Sequence, residues 1–195
     1  YILFSTVAII PWTYMSQAMT SSSQSLITGQ GMLGKVYIPL LIFPITPVLD
    51  KLVDFLIAMI IIFAVCFNYR ITPTWNILLF PVFVLNMVSV AAGVGLWLSG
   101  LAIRFRDVKH AMPFVIRMLM YTAPIVYSAS TISESYRLIY SINPLVSVIE
   151  GFRACLIGSP FNWKFIIPGM ITTAIMLVSG AIYFRRVEKI FVDVI

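Results

Sequence analysis

The chain is 195 residues long, 61% of them hydrophobic and only 10% charged, with a formal net charge of +6 at pH 7 and a mean hydropathy of +1.01. Soluble domains carry roughly 45–50% apolar residues, so this composition excludes a water-soluble globular protein and points to an integral membrane protein. Basic loops beside apolar spans account for the positive charge, and no nucleic-acid partner is expected.

Residues 1–27 read as a first span, apolar at the start and then rich in small hydroxylated residues, Thr20, Ser21, Ser22, Ser23 and Ser25. Such residues let helix backbones approach within a bilayer, and Pro11 predicts a kink. The chain opens on Tyr1, already inside an apolar run, with neither a starting Met nor a basic leader, so further residues are expected to precede it. Segment 28–39 holds Gly29, Gly31, Gly34, Lys35 and Pro39. It reads as a connection outside the hydrocarbon, and Lys35 marks it as cytoplasmic. Pro39, Pro44 and Pro47 argue against a regular helix before about residue 48, which sets the second span at 48–66, about 28 Å long. Asp50, Lys51 and Asp54 fall in its first two turns, with Asp50 and Asp54 on one face and Lys51 within reach of Asp54. Near the membrane edge they read as interfacial anchors, the functional alternative being a proton or substrate relay.

Residues 68–76 form a polar, aromatic connection with Tyr69 and Trp75 at interfacial depth and Arg70 as its charge. The third span, 77–103, ends in Gly93, Gly95, Ser99 and Gly100, a run of small residues that predicts a packing face for a helix of this chain or of a second copy. In the stretch 95–113 the apolar pattern breaks into Arg104, Arg106, Asp107, Lys109 and His110 and then resumes, as expected for a tight cytoplasmic turn between two spans. The fourth span lies within 111–128, 18 residues and near the lower limit for crossing. It carries Arg117, which either snorkels to the headgroups or lines a polar conduit.

The longest connection, 129–163, predicts a short helix over 133–140. Asn143 then caps a second helix that has Pro144 at its first position and stops at Gly158. Leu145, Val148, Ile149, Phe152 and Leu156 share one face, with Glu150 and Arg153 as an i,i+3 pair elsewhere. This predicts an amphipathic helix that lies at the outer interface or dips into it. Residues 164–184 form the last span, followed by Arg185, Arg186 and Lys189. Segments assigned inside carry seven basic residues (Lys35, Arg104, Arg106, Lys109, Arg185, Arg186, Lys189) against four outside (Arg70, Arg137, Arg153, Lys164), which sets the orientation. The fold class expected is all-α, with five transmembrane helices and short outer helices between the last two.

No Walker-type loop is present, so the chain does not bind ATP through a phosphate-binding loop. Its one histidine, His110, lies in the hinge, no Cys/His group has metal-ligand spacing, and Asp107, Glu134, Glu150 and Asp193 are scattered. Nothing predicts catalysis or a bound metal. Cys66 and Cys155 fall on the same side, where they either pair or remain small apolar residues. Tyr14, Trp97, Phe114, Tyr121, Tyr127, Tyr136 and Tyr140 offer faces for stacking on sugar rings, or else belong to the interfacial belt.

Five pieces in order resemble a known family: KVYIP at 35–39; GLWLS at 95–99 continuing to RFRDV at 104–108; APIVY at 123–127; Asn143-Pro144 through IEGFR at 149–153 to Gly158; and the closing FRR at 184–186 with FVDVI at 191–195. They resemble the membrane subunit of type 2 ABC exporters, in the polysaccharide and polyol-phosphate branch that exports O-antigen, capsule or teichoic acid. The resemblance covers nearly the whole chain. It implies a six-helix permease, present here as its last five spans, that dimerises around a path for a lipid-linked glycan. Two copies of a separate ATP-binding subunit, carrying ATP and Mg, would drive it in the bacterial inner membrane, with no cofactor on this chain. It also implies coupling to that subunit through Gln30, Met32, Leu33 and Lys35, with Arg104, Arg106 and Asp107 of the hinge. A conduit near Tyr14, Trp97, Phe114, Arg117, Tyr121 and Tyr127 and an outer gate with Tyr136, Tyr140, Glu150, Phe152 and Arg153 complete the expectation. Leu40, Gly100 and Arg117 depart from the family's pattern, and the added cation at Arg117 favours an anionic polymer. The competing readings are a permease of the same type for a small lipid or drug, and a membrane-embedded glycan-modifying enzyme.

Overall fold

The computed structural model describes residues 2–29, 31, 39–68, 75–105, 107–125, 127 and 134–192. Among them every regular element is helical: α1 (Ile2–Thr28), α2 (Ile42–Asn68), a 3₁₀ turn (Trp75–Leu79), α3 (Phe80–Arg104), α4 (Val108–Thr122), α5 (Glu134–Ser141), α6 (Pro144–Leu156) and α7 (Trp163–Val192). Two stretches, Trp75–Arg104 and Trp163–Lys189, are long and apolar enough to cross a bilayer, with mean hydropathies of 2.3 and 2.0.

The long helices run side by side, so the bundle has two ends. At one, the hinge end, Leu26, Leu40, Leu96 and Phe184 form a small apolar cluster, and α3 turns into α4 through Phe105 in extended conformation. At the other, the cap end, α5 and α6 fold back over the bundle. Helix α1 is central, packing against α2, α3, α4 and α6. The main core joins Met15 and Met19 of α1, Phe55 and Met59 of α2, Phe83 and Met87 of α3, and Ile149 and Phe152 of α6.

The small-residue run at the end of α3 packs within the chain itself. A Cβ built on Gly180 would lie 2.6 Å from the Gly93 carbonyl oxygen, and one on Gly93 would lie 2.9 Å from the Leu177 nitrogen. Only two glycines allow α3 and α7 to meet backbone to backbone here. The approach also brings the Trp97 ring onto Tyr183, stacked with centroids 4.4 Å apart, while the Trp97 indole N–H donates to Ser179 Oγ at 3.2 Å.

Three sequence expectations need correction. Helix α2 begins at Ile42, not near residue 48, and Pro44 and Pro47 lie in its first turns. Pro44 falls in the first turn, which has no intrahelical use for its N–H groups, whereas Pro47, inside the helix, gives no N–H to the Phe43 carbonyl. Thr46 Oγ1 donates to the Ile42 oxygen and Ser22 Oγ of α1 to that of Pro44, both at 2.8 Å. Helix α4 spans 15 residues, Val108–Thr122, about 22 Å; it starts three residues early and stops at Ala123, ahead of Pro124, whose ring disfavours helix at the residue before it. The last helix continues without a break to Val192, so Arg185, Arg186 and Lys189 extend it rather than follow it. Cys66 and Cys155 are buried free thiols.

Candidate functional site

The cap is built as its sequence predicts and placed where the sequence does not predict. Asn143 caps α6 by accepting from the Leu145 N–H at 3.0 Å, with Pro144 at the first helical position. The helix stops at Leu156, and Gly158 takes the left-handed conformation with φ 75°. From 145 to 156, however, every residue except Glu150 is buried. A helix lying at an interface would keep a polar face exposed; α6 instead inserts among α1, α3 and α7. Phe152, expected at an outer gate, is a core residue, edge-on to Phe55 and Phe80 at 5.8 and 5.4 Å.

Burial of α6 carries Arg153 with it, its side chain 2% exposed. The guanidinium donates to Glu150 Oε1 at 3.1 Å, to the Ile125 carbonyl at 2.8 Å and to the Tyr127 carbonyl at 3.3 Å. It also lies 3.5 Å above the Phe4 ring of α1, a cation–π contact strengthened by desolvation. A planar fork of donors is what can reach a carboxylate and two carbonyls at once. Arg153 therefore fastens the strap 123–127, which follows α4, onto α6.

Further contacts seal the same corner. Asn143 Nδ2 donates to the Thr122 carbonyl at 3.0 Å, and Tyr140 donates its hydroxyl to Tyr127 at 3.0 Å. Burial, and after it this hydrogen bond, push the Tyr140 phenol above its ordinary range. Replacing Asn143 with alanine removes both the cap and the tie to α4; a loss of about 1–2 kcal/mol is expected in thermal melts. Asn143→Asp, which keeps the cap alone, should recover part of it.

A second polar feature lies between α1 and α2. Thr13, Tyr14 and Gln17 face Lys51, Asp54 and Phe55 across a pocket of about 350 Å³. Lys51 Nζ is 3.0 Å from Asp54 and 3.6 Å from Asp50. Because α2 starts at Ile42, these charges lie 8–12 residues, about 12–18 Å, along a helix of about 40 Å. They stand within the helix, past its first two turns, and not at its start.

The other expected site residues divide plainly. Tyr14 is buried, its hydroxyl donating to the Val48 carbonyl at 2.9 Å, and Trp97 is spent on the α3–α7 contact. Both are held by packing, Tyr14 with its ring against the α1–α2 pocket and Trp97 against Tyr183. Phe114, Arg117 and Tyr121 stand exposed along one side of α4, and Tyr127 and Tyr136 are exposed at the cap end. At the hinge Arg104 and Asp107 are exposed. Gln30, Met32, Leu33, Lys35 and Arg106 lie outside the described residues.

The sequence reading missed Asn86, buried in α3 and donating to Ser147 Oγ of α6 at 3.0 Å. Ser147 in turn donates to the Pro144 carbonyl at 2.7 Å. A lone amide inside an apolar span was the available signal, since such a group needs a partner across helices.

Comparison with known proteins agrees with this architecture. The family model described as ABC-2 type transporter matches residues 1–157. The chain is similar to the O-antigen export system permease protein RfbA of Klebsiella pneumoniae, 26% identical over 199 residues, covering 100% of this chain and 76% of the relative. It is also similar to the protein of the same name from Myxococcus xanthus, 28% identical over 153 residues, covering 77% of this chain and 59% of that relative. With the family model matching from the first residue through the end of α6, this strongly apolar chain, helical in every regular element of its described residues, belongs to the ABC-2 type transporter family.

Proposed function

We propose that this chain is the membrane subunit of an ATP-driven exporter that moves a lipid-linked polysaccharide across the bacterial cytoplasmic membrane. The similarity to O-antigen export permeases along the whole chain carries this reading. Helices α1, α2, α3, α4 and α7 act as the five spans. The hinge end faces the cytoplasm, in line with the excess of basic residues assigned to that side, and α5 and α6 close the outer end. Two copies of the chain enclose the path, and two copies of an ATP-binding subunit, which bind ATP and Mg, drive it through segment 28–39 with support from the hinge. The exposed aromatic side of α4 supplies sliding contacts for sugar rings.

Purification of the full-length chain should bring down an ATP-binding subunit. Charge reversal at exposed Arg104, or disruption of 28–36, should reduce its yield several-fold or more, since like charges opposed at a contact are strongly unfavourable. Glycan should stimulate ATP hydrolysis by the complex and small amphiphiles should not. A chain active without any ATPase would sink the reading, and stimulation by amphiphiles alone would shift it to a permease for a small lipid or drug.

A further inference from the structure

The α1–α2 pocket combines features that packing does not require. Its charged groups stand far from both ends of α2, yet the Asp54 and Asp50 side chains are 61% and 68% exposed. On a membrane-spanning helix, ionised groups are costly against lipid and normally face a polar cavity or a partner. Exposed ion pairs contribute little to stability, so the arrangement gains little as a staple. The α1 side of the pocket is polar as well, with Thr13 and Gln17 both exposed. Thr13 donates to the Ile9 carbonyl at 2.8 Å, which leaves its lone pairs open as acceptors.

The lining also selects a chemistry. The lining pairs one carboxylate, Asp54, with one ammonium, Lys51, which Asp50 outside the pocket also approaches, so no unpaired cation is left to draw a phosphate group. Carboxylate oxygens accept from hydroxyls, and Lys51 and the Gln17 amide donate to them. The Tyr14 hydroxyl is already committed to Val48, which leaves its ring beside that of Phe55, centroids 5.7 Å apart, as an apolar floor. A cavity of this size with a few convergent polar groups above buried rings suits a small polar ligand. We infer that the α1–α2 pocket, through Gln17, Lys51 and Asp54 above Tyr14 and Phe55, binds uncharged sugar residues of the transported polymer. This inference rests on the glycan-export reading and adds to it a site on the wall of the path.

The test uses the full-length chain with its ATP-binding partner in lipid nanodiscs, carrying Thr13→Cys and treated with a membrane-impermeant maleimide. Two probes are compared: oligosaccharides of a few repeats, released by mild acid from the host's own surface polysaccharide, and inorganic pyrophosphate. The introduced cysteine should react, the oligosaccharide should slow labelling about tenfold, and pyrophosphate should leave it unchanged. Asp54→Asn should raise the half-protecting oligosaccharide concentration about tenfold, as loss of a hydrogen bond to a charged group does. Gln17→Ala serves as the second variant if Asp54→Asn melts early. An unreactive cysteine means the groove faces lipid and overturns the inference, as does protection by pyrophosphate alone. If the oligosaccharide stimulates ATP hydrolysis without protecting the introduced cysteine, this site falls while export stands; if it does neither, both fall.

Discussion

Replacing Arg153 with alanine is expected to cost about 3–5 kcal/mol, because a largely buried carboxylate loses the guanidinium bonded to it and the Ile125 and Tyr127 carbonyls lose that donor. Thermal unfolding of the purified chain in detergent reads this directly. Arg153→Lys should recover only part, since one ammonium cannot fork to a carboxylate and two carbonyls in different directions. Glu150→Gln should cost less, about 1–3 kcal/mol, as the guanidinium keeps its carbonyl partners. The paired change Arg153→Met with Glu150→Leu separates two accounts of the corner. If the ion pair alone mattered, an apolar replacement of both members would be nearly neutral. The carbonyl contacts predict instead that the double variant stays well below the parent, with the strap 123–127 opened to protease. A double variant as stable as the parent would remove Arg153 as the fastener of the cap.

Gly180→Leu should have an effect of similar size for a different reason. The added Cβ would meet the Gly93 carbonyl oxygen 2.6 Å away and the Trp97 ring 3.0 Å away. A main-chain oxygen in mid-helix has no rotamer to escape into, so α3 and α7 must separate. Overpacking of this kind costs about 1–3 kcal/mol and more where the neighbour is backbone. The separation should also break the stack of Trp97 on Tyr183 and the bond to Ser179, which a shift in tryptophan emission would report. Gly93→Leu should behave alike, and the double variant should fall short of the sum because both insert into one contact. A Gly180→Leu protein with unchanged melting and emission would show that α3 and α7 do not approach as described.

The sequence by itself determined the membrane class, the order of the long helices with the bounds of α1 and α3, the hinge after Arg104, and the cap of α6 with its stop before Gly158. These are local matters: apolar run length, charge at the ends of spans, the side-chain acceptor of Asn143 and the positive φ that glycine takes readily. The start of α2 escaped it because Pro44 falls in the first turn, where a missing N–H costs nothing, and Pro47 removes a single intrahelical bond from a helix that α1 packs against. That displacement moved Asp50, Lys51 and Asp54 from the first two turns of the helix to positions 8–12 residues past its start, with Lys51 and Asp54 lining a pocket.

Only the tertiary structure decided the surroundings of α6. The Glu150–Arg153 spacing marks a polar face, and a polar face ordinarily means water; here Ile125, Tyr127 and Phe4, 28, 26 and 149 residues away in sequence, satisfy the guanidinium instead. Likewise the aromatic type of Tyr14 and Trp97 says nothing of direction, and packing against Val48 and Tyr183 settled it. Spacing along a chain fixes which residues share a helix face, but burial depends on what the rest of the chain brings to that face, and those partners are remote in sequence.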